Sequence, residues 1–358
     1  MPTNYHNTRL TARRLLGAVA IASLIAATCL APACDDDGPT QPKPVPPKDY
    51  VAYFYDGVYN DSNWYFAYRP ESDHLDSVWL PYEAPPVISA DGSLMFVSNQ
   101  VDDVIDVVEV DSFTVVDQLP YFDPVTVSSD GQYVVVYRDG LYLLDATDYS
   151  VVLHDTSVHG GAFAKNNLSF YALPDSGNIL KYDLTNLAAP PVEIEVPFGA
   201  VRDLEPSQDE RRLYLYLHRR NADYYFAVLD VVLDSITFSE YLTPGPGEVA
   251  LTPDDRYVFY SNGGSMLYGP GPPYLSVFDT QQQAKLGVIS TAGILDPPYD
   301  AGVPIRDICV TPDGRWLVAI DMGFPQVMAL DIQRMEFSRG RINPGNAFQR
   351  GLSIQAGP

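Results

Sequence analysis

The chain has 358 residues and carries 46 acidic against 22 basic residues, a net charge of −24. Such a balance repels phosphate backbones and anionic headgroups, which argues against nucleic acid as a partner. Three cysteines cannot supply a disulfide framework for a chain of this length.

Residues 1–14 hold Arg9, Arg13 and Arg14 and no acid, and Leu15 to Ala33 is apolar, which reads as an export signal over 1–33. "LAPAC", ending at Cys34, resembles the bacterial lipobox, in which cleavage before the cysteine precedes its lipidation; ordinary secretion or a retained anchor are the alternatives. Removal of 1–33 takes away three basic residues and no acid, so the mature chain is near −27. A lipidated Cys34 leaves Cys309, in the apolar run "IRDICVT", without an intramolecular partner and reading as a buried core thiol. Residues 34–48, "CDDDGPTQPKPVPPK", are acidic and proline-rich and read as an extended tether. The expected address is the bacterial cell envelope, lipid-anchored on the periplasmic or cell-surface side, with the membrane touched through the N-terminus only.

From Asp49 to Pro358 helical periodicity is nearly absent, and short Val, Ile, Tyr and Phe runs alternate with turn residues. The first unit opens on "YVAYFY" (Tyr50 to Tyr55), followed by "WYFAYR" and "DSVWLP". After it a pattern recurs. A short apolar run ends in a turn at Gly92, Gly131, Asn167, Asp255 and Gly314, and a second run of β-formers follows, such as "LMFVSN" or "YVFYSN". A third run ends in Asp111, Asp145, Asp183, Asp230, Asp279 or Asp331, and a fourth strand closes the unit. Val201 to Tyr216 aligns without a gap to Ile305 to Ile320, although its turn is "QDE". Four strands per unit of about 44 residues, over residues 49–358, predict an all-β, seven-bladed β-propeller. With strands lettered a to d from the axis outwards, the first unit lacks an a strand, and the chain ends on one, "RGLSIQ". Residues 351–355 are therefore expected to complete the blade begun at 50–80, closing the ring and covering exposed sheet edges. The domain is expected to be monomeric.

"FVSN" at Phe96 to Asn99 and "FYSN" at Phe259 to Asn262, behind an S/T-x-D turn and ahead of "V-x-D", resemble the seven-bladed propellers of the YVTN type, relatives of surface-layer and lactonase-like propellers. The resemblance covers nearly all of Asp49 to Pro358 and implies the fold. Its implications for activity are broad, since the family includes extracellular binding proteins, lactonases and electron-transfer subunits.

The recurring aspartates read as turn formers that accept backbone N–H bonds, rather than as catalytic pairs or a calcium cage. "VDDVIDVVEVD" (Val101 to Asp111) lacks the order and the glycine of an EF-hand and reads as a solvated loop and strand face. His74, His154, His159 and His218 show no zinc spacing, and no phosphate loop, nucleophile elbow or haem-attachment motif occurs, so neither metal nor cofactor is expected.

Function is expected on the face that carries the b–c and d–a connections. Long insertions there bring Tyr268, Tyr274, Tyr299 and Phe324 to one side, either as an interface or packed on one another. The residue entering strand a is Asp123, His159, Arg202, Arg306 or Arg350 in five blades, with Asp203, Glu248 and Asp307 at the following position. These arginines either receive an anion at the channel mouth or pair with the neighbouring acids and seal it. The expectation is a binding or scaffold protein for a protein, peptide or glycan, without need of catalysis. The alternative is a lactonase-like hydrolase holding an anionic substrate on His159, Arg202, Arg306 and Arg350, and a redox subunit is a third possibility.

Overall fold

The computed structural model describes residues 50–57, 63–79, 85–121, 123–197, 199–219, 223–242, 247–261, 274–292, 294, 305, 307–320, 326–342 and 349–356. The expected signal, Cys34 and the tether lie outside them, as do Tyr268, Tyr299, Arg306 and Phe324. All of the described fold lies in the unit Pro47–Pro358.

Strands, numbered in chain order, fall into seven four-stranded antiparallel sheets, with no helix among the described residues. The innermost a strands are β28 (Gln349–Ala356) in blade 1, then β4 (Val87–Ile88), β8 (Asp123–Val127), β12 (Val158–Phe163), β16 (Ala200–Pro206), β20 (Val249–Leu251) and β24 (Asp307–Val310) in blades 2 to 7. Each of these contacts the a strand of the next blade, and β24 contacts β28, so the circle is closed.

Closure occurs where the sequence predicts it. β1 (Tyr50–Gly57) pairs antiparallel with β28, Tyr50 opposite Ala356 and Asp56 opposite Gln349, and the sheet order is β28-β1-β2-β3, with β2 at Asn63–Arg69 and β3 at His74–Trp79. Side chains reinforce the joint. Phe54, Phe66 and Tyr68 of blade 1 pack with Trp316, Val318 and Ala329 of blade 7. Glu71 accepts hydrogen bonds from the Arg315 guanidinium and from Trp316 Nε1, the latter at 3.0 Å.

Seven hydrophobic clusters hold the blades together, each shared by two neighbours, from blades 1 and 2 around to blades 7 and 1. Strand alternation explains how one sheet serves two of them. In β17 (Arg212–Arg219), Leu213, Leu215 and Leu217 pack toward blade 4, while Tyr214 and Tyr216 pack toward blade 6. Both faces are buried, which is why the b strands read as nearly unbroken apolar runs. Cys309 departs from expectation: it is half-buried in β24, a short strand close to the channel.

The a–b turns share one hydrogen-bond pattern. The hydroxyls of Ser89, Ser128, Ser207, Thr252 and Thr311 donate to Asp91, Asp130, Asp209, Asp254 and Asp313 at 2.6–2.7 Å. The same carboxylate oxygen accepts the backbone N–H two residues on, at 3.0–3.1 Å. The hydroxyl in turn accepts an N–H of the b strand at 2.9–3.0 Å. The aspartates are turn formers, as their position in the repeat suggests. Gly92, Gly131 and Gly314 supply the positive φ that closes the turn, and in blades 4, 5 and 6 Asn167, Glu210 and Asp255 adopt it instead, at 54–55°. Glu210 is anchored there by Asn166 Nδ2 at 2.7 Å, Tyr171 OH at 2.9 Å and Lys181 Nζ at 2.6 Å, all from blade 4. Burial alone would raise its pKa, but the hydrogen bonds from Lys181, Asn166, Ser169 and Tyr171 outweigh that and bring it to about 2.

Candidate functional site

With the a–b turns on the lower face, the b–c and d–a connections lie on the upper one, where the a strands begin. Four a strands are bulged near that end, each with one residue more than its partner: Val125, His159, Arg202 and Gly351 are the unpaired residues of β8, β12, β16 and β28. A bulge re-aims side chains that a regular ladder would alternate strictly. Two of the sequence-nominated residues, His159 and Arg202, are thus the extra residues of adjacent innermost strands, and both are exposed. Arg350 lies one residue before the bulge of β28, paired by its backbone with Tyr55.

Each of the two upper-rim bases turns toward its own blade. His159 Nδ1 lies 3.3 Å from Asp175 Oδ1. Arg202 Nη2 lies 3.4 Å from His218 Nδ1. Arg202 does not pair with Asp203. That carboxylate is committed to backbone: Asp203 Oδ1 accepts the N–H of Leu204 at 2.9 Å, and Oδ2 accepts the N–H of Val249, in the next blade, at 2.8 Å. Glu248, at the equivalent position of blade 6, does the same one blade on, its Oε2 accepting the N–H of Ile308 at 3.1 Å. Asp203 and Glu248 are therefore interblade clamps. Burial pushes the Asp203 carboxyl up to about 7, with repulsion from Glu205 and Asp307 adding to it and the two backbone N–H bonds opposing.

Above this row blade 5 is extended. β17, β18 (Asp223–Asp230) and β19 (Ser235–Leu242) are eight residues each, a length that β1 of blade 1 shares, whereas the b strand of blade 3, β9 (Tyr133–Tyr137), has five. The a–b turn fixes the lower end of each, so pairing in blade 5 continues about 10 Å further up, at about 3.3 Å per residue. The added height carries His218 stacked on Tyr224 at 4.7 Å between ring centroids, and Tyr225 edge-on to Tyr241 at 5.5 Å. Burial, and then the Arg202 charge, depress the His218 pKa. Tyr241 is 55% exposed at the sheet edge. Tyr274, the described member of the predicted aromatic group, opens β22 (Tyr274–Asp279) of blade 6 and is half-buried.

Sequence reasoning missed His218, Tyr224, Tyr225 and Tyr241 as a group. The signal was the run "LYLYLHRRNADYYF", longer than any strand pair the repeat requires. Gly247 stands where blade 5 has Arg202, and a Cβ there would meet the Tyr216 hydroxyl and Ser261 Oγ at 2.7 Å, so blade 6 has no room for a basic residue at that position. Among the described residues no group of three or more His, Cys, Asp and Glu is placed to hold a metal ion.

No protein-family model matches the sequence, and no curated protein matches it. Solved structures do match. A functionally unknown protein from Desulfotomaculum acetoxidans DSM 771 aligns over 86% of this chain and 99% of its own, with 10% identity and a TM-score of 0.62. The Cps50 (Swd1) β-propeller domain of Myceliophteria thermophila aligns over 75% of this chain and 88% of its own, with 12% identity and a TM-score of 0.56. Hydrazine synthase of Kuenenia stuttgartiensis aligns over 69% of this chain and 76% of its own, with 16% identity and a TM-score of 0.54. These likenesses are of fold alone. They span proteins of different activity, so the function of this chain has to be argued from its own upper face.

Proposed function

We propose that this protein is an exported, lipid-anchored propeller that binds a protein, peptide or glycan of the cell envelope through its upper face. Export and attachment at Cys34 are supported by the basic, then apolar, residues 1–33 and by "LAPAC"; relationship to the YVTN-type propellers is supported by the "FVSN" and "FYSN" motifs behind their turns. The binding reading rests on the extension of blade 5, where Tyr224, Tyr225 and Tyr241 stand at the end of strands longer than the scaffold needs. Tyrosines on a rigid hairpin give contact area at low entropic cost, the composition of many protein interfaces. Asp203 and Glu248 at the channel mouth are bonded to the backbone of the next blade, which supports a binding role over hydrolysis.

Crosslinking in the native envelope, followed by identification of the captured species, tests this reading. The expected result is a defined partner whose capture falls with Tyr224→Ala or Tyr241→Ala, and a lipid label that is lost with Cys34→Ser. Lactone turnover by the purified protein with no partner captured would overturn it.

A further inference from the structure

Five arginines of this acidic protein, Arg69, Arg211, Arg256, Arg315 and Arg334, pair with carboxylates. Arg202 is the contrast. It is exposed, it occupies a bulge, and its contact is the ring of His218. The carboxylate next to it in sequence is already bonded to Leu204 and Val249 N–H groups. His218, its own pKa lowered, is neutral at pH 7 and brings no second charge. An exposed guanidinium whose Nη2 rests 3.4 Å from His218 Nδ1, with His218 in turn stacked on Tyr224, suits a planar carboxylate.

The surroundings narrow the ligand further. The next residue of β16 is Asp203, whose raised pKa reflects burial first and repulsion from Glu205 and Asp307 in addition. On the adjoining blade the side chain of Asp175 is 94% exposed beside His159. One positive group is therefore set in a negative frame. A polyanion would gain one contact and meet several repulsions, whereas a carboxylate flanked by cationic groups complements both signs.

We propose that the exposed guanidinium of Arg202, on the bulge of β16 and beside His218 of β17, is a subsite for a carboxylate carried on a mixed-charge peptide segment. This rests on the binding reading above and names the ligand chemistry of one part of that face. Nothing in it requires the other arginines of the rim, and Arg202 needs no movement of the scaffold to reach solvent.

The test is fluorescence anisotropy with the full chain and a fluorescein-labelled Ala-Lys-Asp-Lys-Ala peptide, with a glucuronate oligosaccharide as competitor. Arg202→Gln should weaken peptide binding about tenfold or more, and Arg202→Lys should lose several-fold by losing the two-pronged geometry. Arg334→Gln, on the lower face, should leave binding unchanged, and the Arg202 variants should melt with wild type. No binding by wild type, equal binding by Arg202→Gln, or stronger binding of the glucuronate oligosaccharide would overturn the proposal. Envelope crosslinking repeated with Arg202→Gln separates the two readings: undiminished capture sinks the subsite and leaves the binding role, while absence of capture by wild type sinks the binding role itself.

Discussion

The two rims of this propeller are built by different rules. On the lower rim five blades repeat a Ser/Thr hydroxyl, an aspartate and two backbone N–H groups at nearly constant distances. On the upper rim equivalent positions diverge: His159, Arg202 and Gly247 stand at the start of successive a strands, four a strands are bulged among the described residues, and the b strands of blades 1 and 5 have eight residues where that of blade 3 has five. The lower rim spends its polar groups on stability, through short-range bonds that any blade can form. The upper rim holds Asp203 and Glu248 in clamps between neighbouring strands and leaves Arg202 and Tyr241 exposed.

Substitutions on each rim should therefore act on different observables. The largest effect on stability is expected at the lower rim from Glu210→Gln. Its carboxyl pKa, about 2 in the fold, is below the usual Glu value, so its contribution is present above about pH 4.5 and lost as pH falls through 2. The variant should lose roughly 1–2 kcal/mol at pH 7, allowing for solvent screening, and nothing near pH 2, as read by urea melts at the two pH values. A uniform loss at both would show that the side chain acts through shape instead of charge. Next, Asp313→Ala should cost about 1 kcal/mol, since it strips acceptors from Thr311 and Arg315 N–H, with ligand binding unchanged.

An opposite pH dependence is expected from the channel. Asp203 has a raised pKa in the fold, so its contribution is full below the unfolded value and is lost as pH rises through about 7. Asp203→Asn keeps an acceptor for the Val249 N–H and cannot ionise, so its stability relative to wild type should improve between pH 5 and pH 8. A constant difference across that range would mean that Asp203 titrates normally. The smallest stability effect belongs to the upper rim: Tyr241→Ala, at an exposed sheet edge, should change the folding free energy by less than about 1 kcal/mol, yet reduce partner capture. A large loss of stability there would mean the hairpin is scaffold, and the contrast between rims would fail.

The same contrast explains what the sequence made legible. The turns and strands were readable because Ser/Thr-x-Asp and the following apolar run act within six residues of one another, and the lone "RGLSIQ" strand identified itself by having no partner in its own unit. The upper rim was less legible. Arg202 beside Asp203 looked like an ion pair, but a bulge separates their directions and the Val249 N–H, 46 residues away, takes the carboxylate. The His218–Tyr224 stack depends on the register of β17 with β18, which a repeat of average length does not reveal. Cys309 looked buried from its apolar neighbours, yet it lies in a strand too short and too close to the channel to be covered fully.

The account as a whole depends on the ring being closed by its own last strand, because that closure fixes which ends of the strands form the upper rim. Amide hydrogen exchange of the full chain, followed by mass spectrometry of peptides covering 349–356 and 50–57, measures it most directly. Exchange in 349–356 should be slowed to the degree seen in 50–57, with both segments opening together as denaturant is added. Exchange in 349–356 at the rate of an unstructured peptide, beside a protected 50–57, would contradict it.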